Sequence, residues 1–191
     1  RCSGISMMKC LAATLSLVCG LALLAAAPAL GGPLQDMINA APEGSVLKPP
    51  AGTYGEHITI SKSIEIDGSN GVVIDGEGKG TVVELKANNS TLRNLLIRNS
   101  GRLHNALDAG LRVAGNFNVI KDVRIENALF GIDLHQANNN VIRRTTISSK
   151  DMPLELRGDS VRLWYSHDNQ LEDNDISHAR DFVVWYSHGN K

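Results

Sequence analysis

The sequence predicts an all-β protein, a parallel β-helix wound in coils of about 22 residues behind an N-terminal cap. Three observations predict it. From about Val72 onward, short β-rich runs recur between Asn- and Gly-rich turns, and inside each run apolar residues stand at i and i+2, the period of a strand. One series runs Leu92, Leu95, Ile97; Ile120, Val123, Ile125; Ile142, Thr145, Ile147; and Leu171, Asn174, Ile176, in steps of 28, 22 and 29. A second runs Leu111 and Val113, Ile132 and Leu134, Val161 and Leu163, and Val183 and Trp185, in steps of 21, 29 and 22. Stacked at about 4.8 Å, such coils bury the i and i+2 residues as inward columns and turn the residue between them outward. Leucine-rich repeats have similar periods, but their spaced leucine signature is absent from this sequence.

Of the 191 residues, 42% are apolar and 20% charged, the composition of an ordinary globular domain and not of a disordered or collagen-like chain. A formal net charge of −1 leaves no excess of Lys and Arg to neutralise phosphates, so a nucleic-acid partner is not expected. Residues 1–29 read as a secretory signal peptide: Met7, Met8 and Lys9 precede an uncharged apolar run, which ends in the small-x-small site Ala27-Pro28-Ala29. Cleavage there removes two of the 19 basic residues, Arg1 and Lys9, and all three cysteines, Cys2, Cys10 and Cys19. The exported part then has no disulfide, thiolate metal site or Cys nucleophile.

Residues 30–56 read as the cap, with a helix near 34–41 followed by Pro42, Pro49, Pro50 and Gly52, shielding the first coil from edge pairing. Residues 57–191 form the β-helix. The closing Ser187-His188-Gly189-Asn190-Lys191 reads as the turn before another coil, so the chain is expected to be a fragment of a longer solenoid. Within the coils, Arg112, Asp133 and Arg162 fill the outward slots, and Asn89, Asn118, Asn140 and Asn169 recur at one turn, where stacked amides form a ladder.

The two long steps place insertions at one point of the coil. The stretches from Ile97 to Gly110 and from Ile147 to Gly158 are each about twice as long as the one from Ile125 to Gly131. Loops two coils apart at one corner stand about 10 Å from each other and form one projecting surface. It carries His104, Asp108, Lys150, Asp151, Met152 and Arg157.

For chemistry, the acids come first. Asp159 and Asp181, one coil apart, have the spacing of a hydrolytic carboxylate pair, but Arg157 and Arg180 beside them read as an ion-paired column. No convincing acid and base pair is evident. Metal binding is the other class. Imidazole and thioether donors suit copper, and the candidates are His104 and Met152 on the projecting loops, with His167 and His188 closing the paired segments Trp164-Tyr165-Ser166-His167 and Trp185-Tyr186-Ser187-His188. If the two segments stack, their imidazoles would share one ion. One ring of each Trp-Tyr pair is expected to face inward and the other outward, as a surface for a sugar ring or a partner protein. Two registers are open there, aligning either Val161 with Val183 or Trp164 with Trp185.

Four ordered segments carry a more specific likeness. Asp108-Ala109-Gly110-Leu111-Arg112-Val113, Leu129-Phe130-Gly131-Ile132-Asp133-Leu134, Arg157-Gly158-Asp159-Ser160-Val161-Arg162-Leu163-Trp164 and Arg180-Asp181-Phe182-Val183-Val184-Trp185-Tyr186-Ser187 resemble the NosD family over roughly residues 35–191. Ser160 and Phe182 depart from that pattern, standing where it has Gly and a small residue. The resemblance implies a right-handed β-helix and a periplasmic, copper-binding accessory protein in denitrification, a metallochaperone-like maturation factor for nitrous oxide reductase. It implies action with an inner-membrane ABC transporter, apo nitrous oxide reductase and a copper donor protein in building the copper–sulfur centre, with no catalytic residues. On this reading copper passes transiently through His104, Met152, His167 or His188, and Asp108, Asp151, Arg157, Trp164, Tyr165, Trp185 and Tyr186 meet partners. The alternative is a periplasmic polysaccharide-binding or polysaccharide-modifying β-helix of the lyase or epimerase kind.

Overall fold

The computed structural model describes residues 32–191, and the signal peptide expected over residues 1–29 lies outside them. Helix α1 (Pro33–Ala40) leads into β1 (Val46–Leu47), β2 (Gly52–Tyr54), β3 (Ile58–Ile60), β4 (Glu65–Asp75) and β5 (Val83–Leu85). Then come β6 (Thr91–Arg98), β7 (Ala109–Val113), β8 (Val119–Lys121), β9 (Arg124–Ala128), β10 (Phe130–His135) and β11 (Val141–Arg143). β12 (Thr146–Ser149), a 3-10 turn at Leu154–Leu156, β13 (Val161–Trp164), β14 (Gln170–Glu172), β15 (Asp175–Ser177) and β16 (Phe182–Trp185) follow.

All strand pairings are parallel and join strands one coil apart, which is the β-helix the sequence predicts. One sheet stacks β3, β5, β7, β10, β13 and β16 in chain order. In the other, β4 pairs with β6, whose first half carries β8, β11 and β14 and whose second half carries β9, β12 and β15. The bend between the halves falls at Asn94, Asp122, Arg144 and Asp173, with φ of 56°, 55°, 48° and 52°. Asn and Asp tolerate this left-handed conformation better than most residues.

The first inward series is found in register: Leu92, Ile120, Ile142 and Leu171 align, as do Ile97, Ile125, Ile147 and Ile176. In the second series the final coil is corrected. Val161 pairs with Phe182, Leu163 with Val184 and Trp164 with Trp185, so the inward residues there are Phe182 and Val184 and not Val183 and Trp185. The duplicated Trp-Tyr-Ser-His segments set this register, because Ser166 donates its backbone N–H to Ser187 Oγ at 2.9 Å. Each inward Ile or Leu fully removed from water contributes about 1.5–3 kcal/mol, so these columns dominate the stability of the solenoid.

The amide ladder is present with one rung moved. Asn118 accepts the Ser90 N–H (2.8 Å), Asn140 that of Asn118 (2.9 Å), Asn169 that of Asn140 (2.9 Å) and Asn190 that of Asn169 (2.9 Å). Asn89, expected as the first rung, is exposed at φ 54°, and the neighbouring Ser90 fills the buried slot. A second ladder runs beside the first: Asn88 accepts the Asn116 N–H, Asn116 that of Asn138, Asn138 that of His167 and His167 Nδ1 that of His188.

The cap is shorter than expected. β1 and β2 already pair with β4, so coil pairing starts ahead of residue 57 and α1 alone covers the end. Leu34 and Ile38, one helical turn apart, are buried against the first coil. The Glu56 carboxylate accepts the Leu34 and Gln35 N–H groups at 2.8 and 3.1 Å, satisfying donors that the first turn of a helix leaves open. The Gln35 side-chain amide accepts the Thr59 N–H (2.7 Å) and donates to the Thr59 carbonyl (3.1 Å). It thereby pairs the open edge of β3 as a neighbouring strand would.

Candidate functional site

Two surfaces gather the residues singled out in the sequence, and they lie at opposite ends of the same strands. Before β10 stands a lobe made from the two insertions. After it stands an aromatic corner, so the whole length of β10, from Phe130 to His135, separates the two.

The insertions do form one surface. His104 Nε2 lies 2.9 Å from the Leu156 carbonyl, so this nitrogen carries the proton and Nδ1 is left as a lone-pair donor. The imidazole also meets Phe130 edge to face at 5.7 Å. Met152 and Leu107 pack on the small apolar cluster of Ala109, Leu129 and Phe130. His104 and Met152 are therefore brought to one apolar cluster from two separate insertions. The sequence places Met152 on the open surface; it is half-buried because this satellite cluster needs a lid.

Other lobe residues are structural. Asp108 is buried at 3% exposure and accepts the Leu103 N–H at 2.9 Å, closing its own loop, which removes it as a contact for a partner. Arg157 donates Nε to the Met152 carbonyl at 2.7 Å and does not reach Asp159. Lys150, also buried, donates to the Asn127 carbonyl at 2.9 Å, and burial holds its amine below the ordinary lysine range. Asp151 is exposed, as are Leu103, Leu154 and Leu156, three leucines that the strand periodicity gave no reason to single out.

Behind the lobe, the outward column of the six-stranded sheet carries a buried charge ladder. Asp133 is fully buried and accepts Arg112 Nε at 3.1 Å and Arg162 Nη1 at 2.9 Å. Arg112 also donates to the Ala106 and Leu107 carbonyls of the first insertion. One carboxylate thus ties three coils and the base of a loop. On the next column Arg180 donates to Asp159 at 2.9 Å and Asp181 at 3.0 Å, the ion-paired arrangement expected from sequence.

At the aromatic corner both rings of each Trp-Tyr pair lie outside, against the expected inward and outward split. Tyr165 and Tyr186 have φ of 48° and 51°, and a left-handed residue breaks strand alternation. A bulky residue in this conformation costs about 1–3 kcal/mol, and the corner holds one on each of two successive coils. The Tyr165 and Tyr186 rings stack at 4.8 Å with 11° between planes, and Trp164 meets Trp185 at 5.5 Å and Tyr186 at 5.1 Å. The Arg162 guanidinium lies over the Trp164 ring at 4.7 Å. An open groove of about 400 Å³ runs along Trp164, Val184, Trp185 and Tyr186.

His167 and His188 stack at 4.0 Å with 28° between planes. A metal lies in the plane of each imidazole that ligates it, so near-parallel rings do not share one ion. The His167 Nδ1 lone pair is moreover engaged by the His188 N–H at 3.1 Å. The pair continues an amide ladder, which corrects its reading as a shared metal site. Among the described residues no group of three or more His, Cys, Asp or Glu is placed to hold a metal.

Comparison with known proteins agrees with the geometry. The right-handed β-helix region family matches residues 70–190. The chain is 28% identical over 139 residues to the probable ABC transporter binding protein NosD of Pseudomonas aeruginosa (strain PAO1), an alignment covering 69% of this chain and 31% of that protein. The chain thus spans about a third of the length of that relative. No solved structure matches it at a significant level.

Proposed function

The chain belongs to the right-handed β-helix family, and from that premise we propose that it is a non-catalytic, periplasmic accessory protein. It works beside an inner-membrane ABC transporter and helps to supply or assemble the copper–sulfur centre of nitrous oxide reductase. The observation that carries this reading is the NosD similarity, which extends over 69% of the chain. Copper is cargo in this account, received from a donor protein and passed to the apo-reductase.

The loop lobe supports that role chemically. His104 Nδ1 is not used by the bond to Leu156, and the Met152 thioether packs against the same Phe130 cluster that His104 touches. One imidazole and one thioether suit copper(I). Two donors leave the ion's coordination incomplete, so a partner ligand completes it and hand-over follows without breaking a closed site.

Competition of the protein with a chromogenic chelator for copper(I) tests the lobe directly. The protein is expected to retain copper(I), with affinity at least tenfold weaker in His104→Ala and unchanged in His167→Ala and His188→Ala. Absence of retention, or loss confined to the His167 and His188 variants, contradicts the assignment.

A further inference from the structure

We propose that the turn edge around Phe117 is a binding site for a neutral glycan, with the phenyl ring as the platform for one sugar ring. Successive coils place a left-handed residue at the same point of this edge. Each donates its N–H to the carbonyl just before its counterpart on the next coil: Asn89 to Asn116, Phe117 to Asn138, Asn139 to His167 and Asp168 to His188, at 3.0–3.1 Å. Their φ values are 54°, 58°, 57° and 57°, and Gly189 follows at 69°. Asn, Asp and Gly suit this conformation, whereas it is costly for a bulky side chain. Phe117 recovers nothing by packing, since it is 57% exposed and belongs to neither apolar cluster. Neither turn chemistry nor the core accounts for a phenyl ring at this one position.

The surroundings of the ring define its ligand. Asn89, one coil before it, lines an open groove of about 340 Å³ with Glu43, Ser61, Lys62, Lys86 and Asn88. Both lysines are committed, Lys62 to the Asn39 and Ala41 carbonyls and Lys86 to Glu84. Hydroxyl and amide groups are left over. Asn88 spends only Oδ1, on the Asn116 N–H. The exposed side chains of Ser61, Asn89 and, on the coil beyond the ring, Asn139 make no hydrogen bond among the described residues. Such groups supply both donors and acceptors, as the hydroxyls of a sugar demand, and a flat aromatic ring covers the C–H face of a pyranose. Glu43, in no ion pair among the described residues, accepts from hydroxyls and repels an anionic chain. A protein hot spot sits instead in a packed, water-excluding surround, which solvated amides do not provide.

Calorimetric titration of the protein with cellohexaose, chitohexaose, xylohexaose and maltohexaose is expected to show saturable binding of at least one of these neutral chains, with hexagalacturonate inert. Phe117→Asn gives this turn the residue of its neighbouring coils. It is expected to raise the unfolding midpoint and to weaken the sugar at least tenfold. Asn139→Gly, which keeps the left-handed turn accessible, is expected to weaken it about threefold. No binding by any neutral hexasaccharide, tighter binding of hexagalacturonate, or an unchanged affinity in either variant overturns the proposal. A lowered midpoint in Phe117→Asn also overturns it, because it removes the strain that singles out the ring. The titration contains no copper and the variants leave His104 and Met152 in place, so its failure leaves the accessory role standing, and loss of copper binding leaves the glycan result standing.

Discussion

Asp133→Ala is expected to destabilise the protein by about 3–5 kcal/mol, because removing one member of a buried ion network strands the charges that remain. Asp133 has no exposed surface and is shared by Arg112 and Arg162, the latter 7% exposed. Without it two guanidiniums face each other across the vacated coil, and Arg162 has lost its only carboxylate among the described residues. Chemical denaturation of the variant against the parent measures the effect. The triple change Arg112→Met/Asp133→Leu/Arg162→Met separates charge stranding from loss of the ladder, since an apolar column of similar volume is expected to recover most of the stability. A cost under about 1 kcal/mol for the single change, the value of an exposed ion pair, contradicts the burial of this ladder.

Asn140→Ala is expected to be the next most damaging change outside the apolar columns. Asn140 is fully buried; its Oδ1 accepts the Asn118 N–H at 2.9 Å and its Nδ2 donates to Asn169 Oδ1 at 3.1 Å. Alanine leaves the Asn118 N–H without an acceptor, a cost of about 1–3 kcal/mol for one buried group, with a small cavity in addition. Asn140→Ser is expected to lose less, because a serine already serves at the equivalent rung: Ser90 Oγ accepts the Ile64 N–H at 3.3 Å. Asn89→Gly, at the exposed position beside that rung where φ is 54°, removes the side chain while keeping the left-handed backbone accessible, and is expected to leave stability within about 0.5 kcal/mol of the parent. Thermal or denaturant unfolding of the three variants together reads the ladder; equal losses in Asn89→Gly and Asn140→Ala contradict it.

The inward columns are legible in the sequence because a strand period of two, recurring once per coil, admits few other packings. The amide ladder is legible for the same reason and misplaced by one residue at its start, since Asn89 and Ser90 both carry an oxygen that fits the role and the sequence alone does not say which faces in. Register at the last coil needs the Ser166–Ser187 bond, because Val183 and Val184 are equally apolar. The outward slots of Arg112, Asp133 and Arg162 are visible, but not their burial, which depends on the loop carbonyls of Ala106 and Leu107 and on the Trp164 ring. Met152 reads as a surface thioether because its apolar lid function belongs to a cluster whose other members, Ala109, Leu129 and Phe130, come from other coils. His167 and His188 read as ligands because imidazole is a common ligand; that imidazole also replaces Asn as a ladder acceptor is visible only once the two coils are stacked. The Gln35 amide that closes the β3 edge leaves no signal in the sequence, since it works through a contact with Thr59, far along the chain.

The most direct test of the proposed function is the copper content of nitrous oxide reductase purified from a strain lacking the gene for this protein. The reductase is expected to lack copper at its copper–sulfur centre, with loading restored by the wild-type gene and restored poorly by the His104→Ala/Met152→Ala variant. A fully loaded centre in the deletion strain would contradict the maturation role.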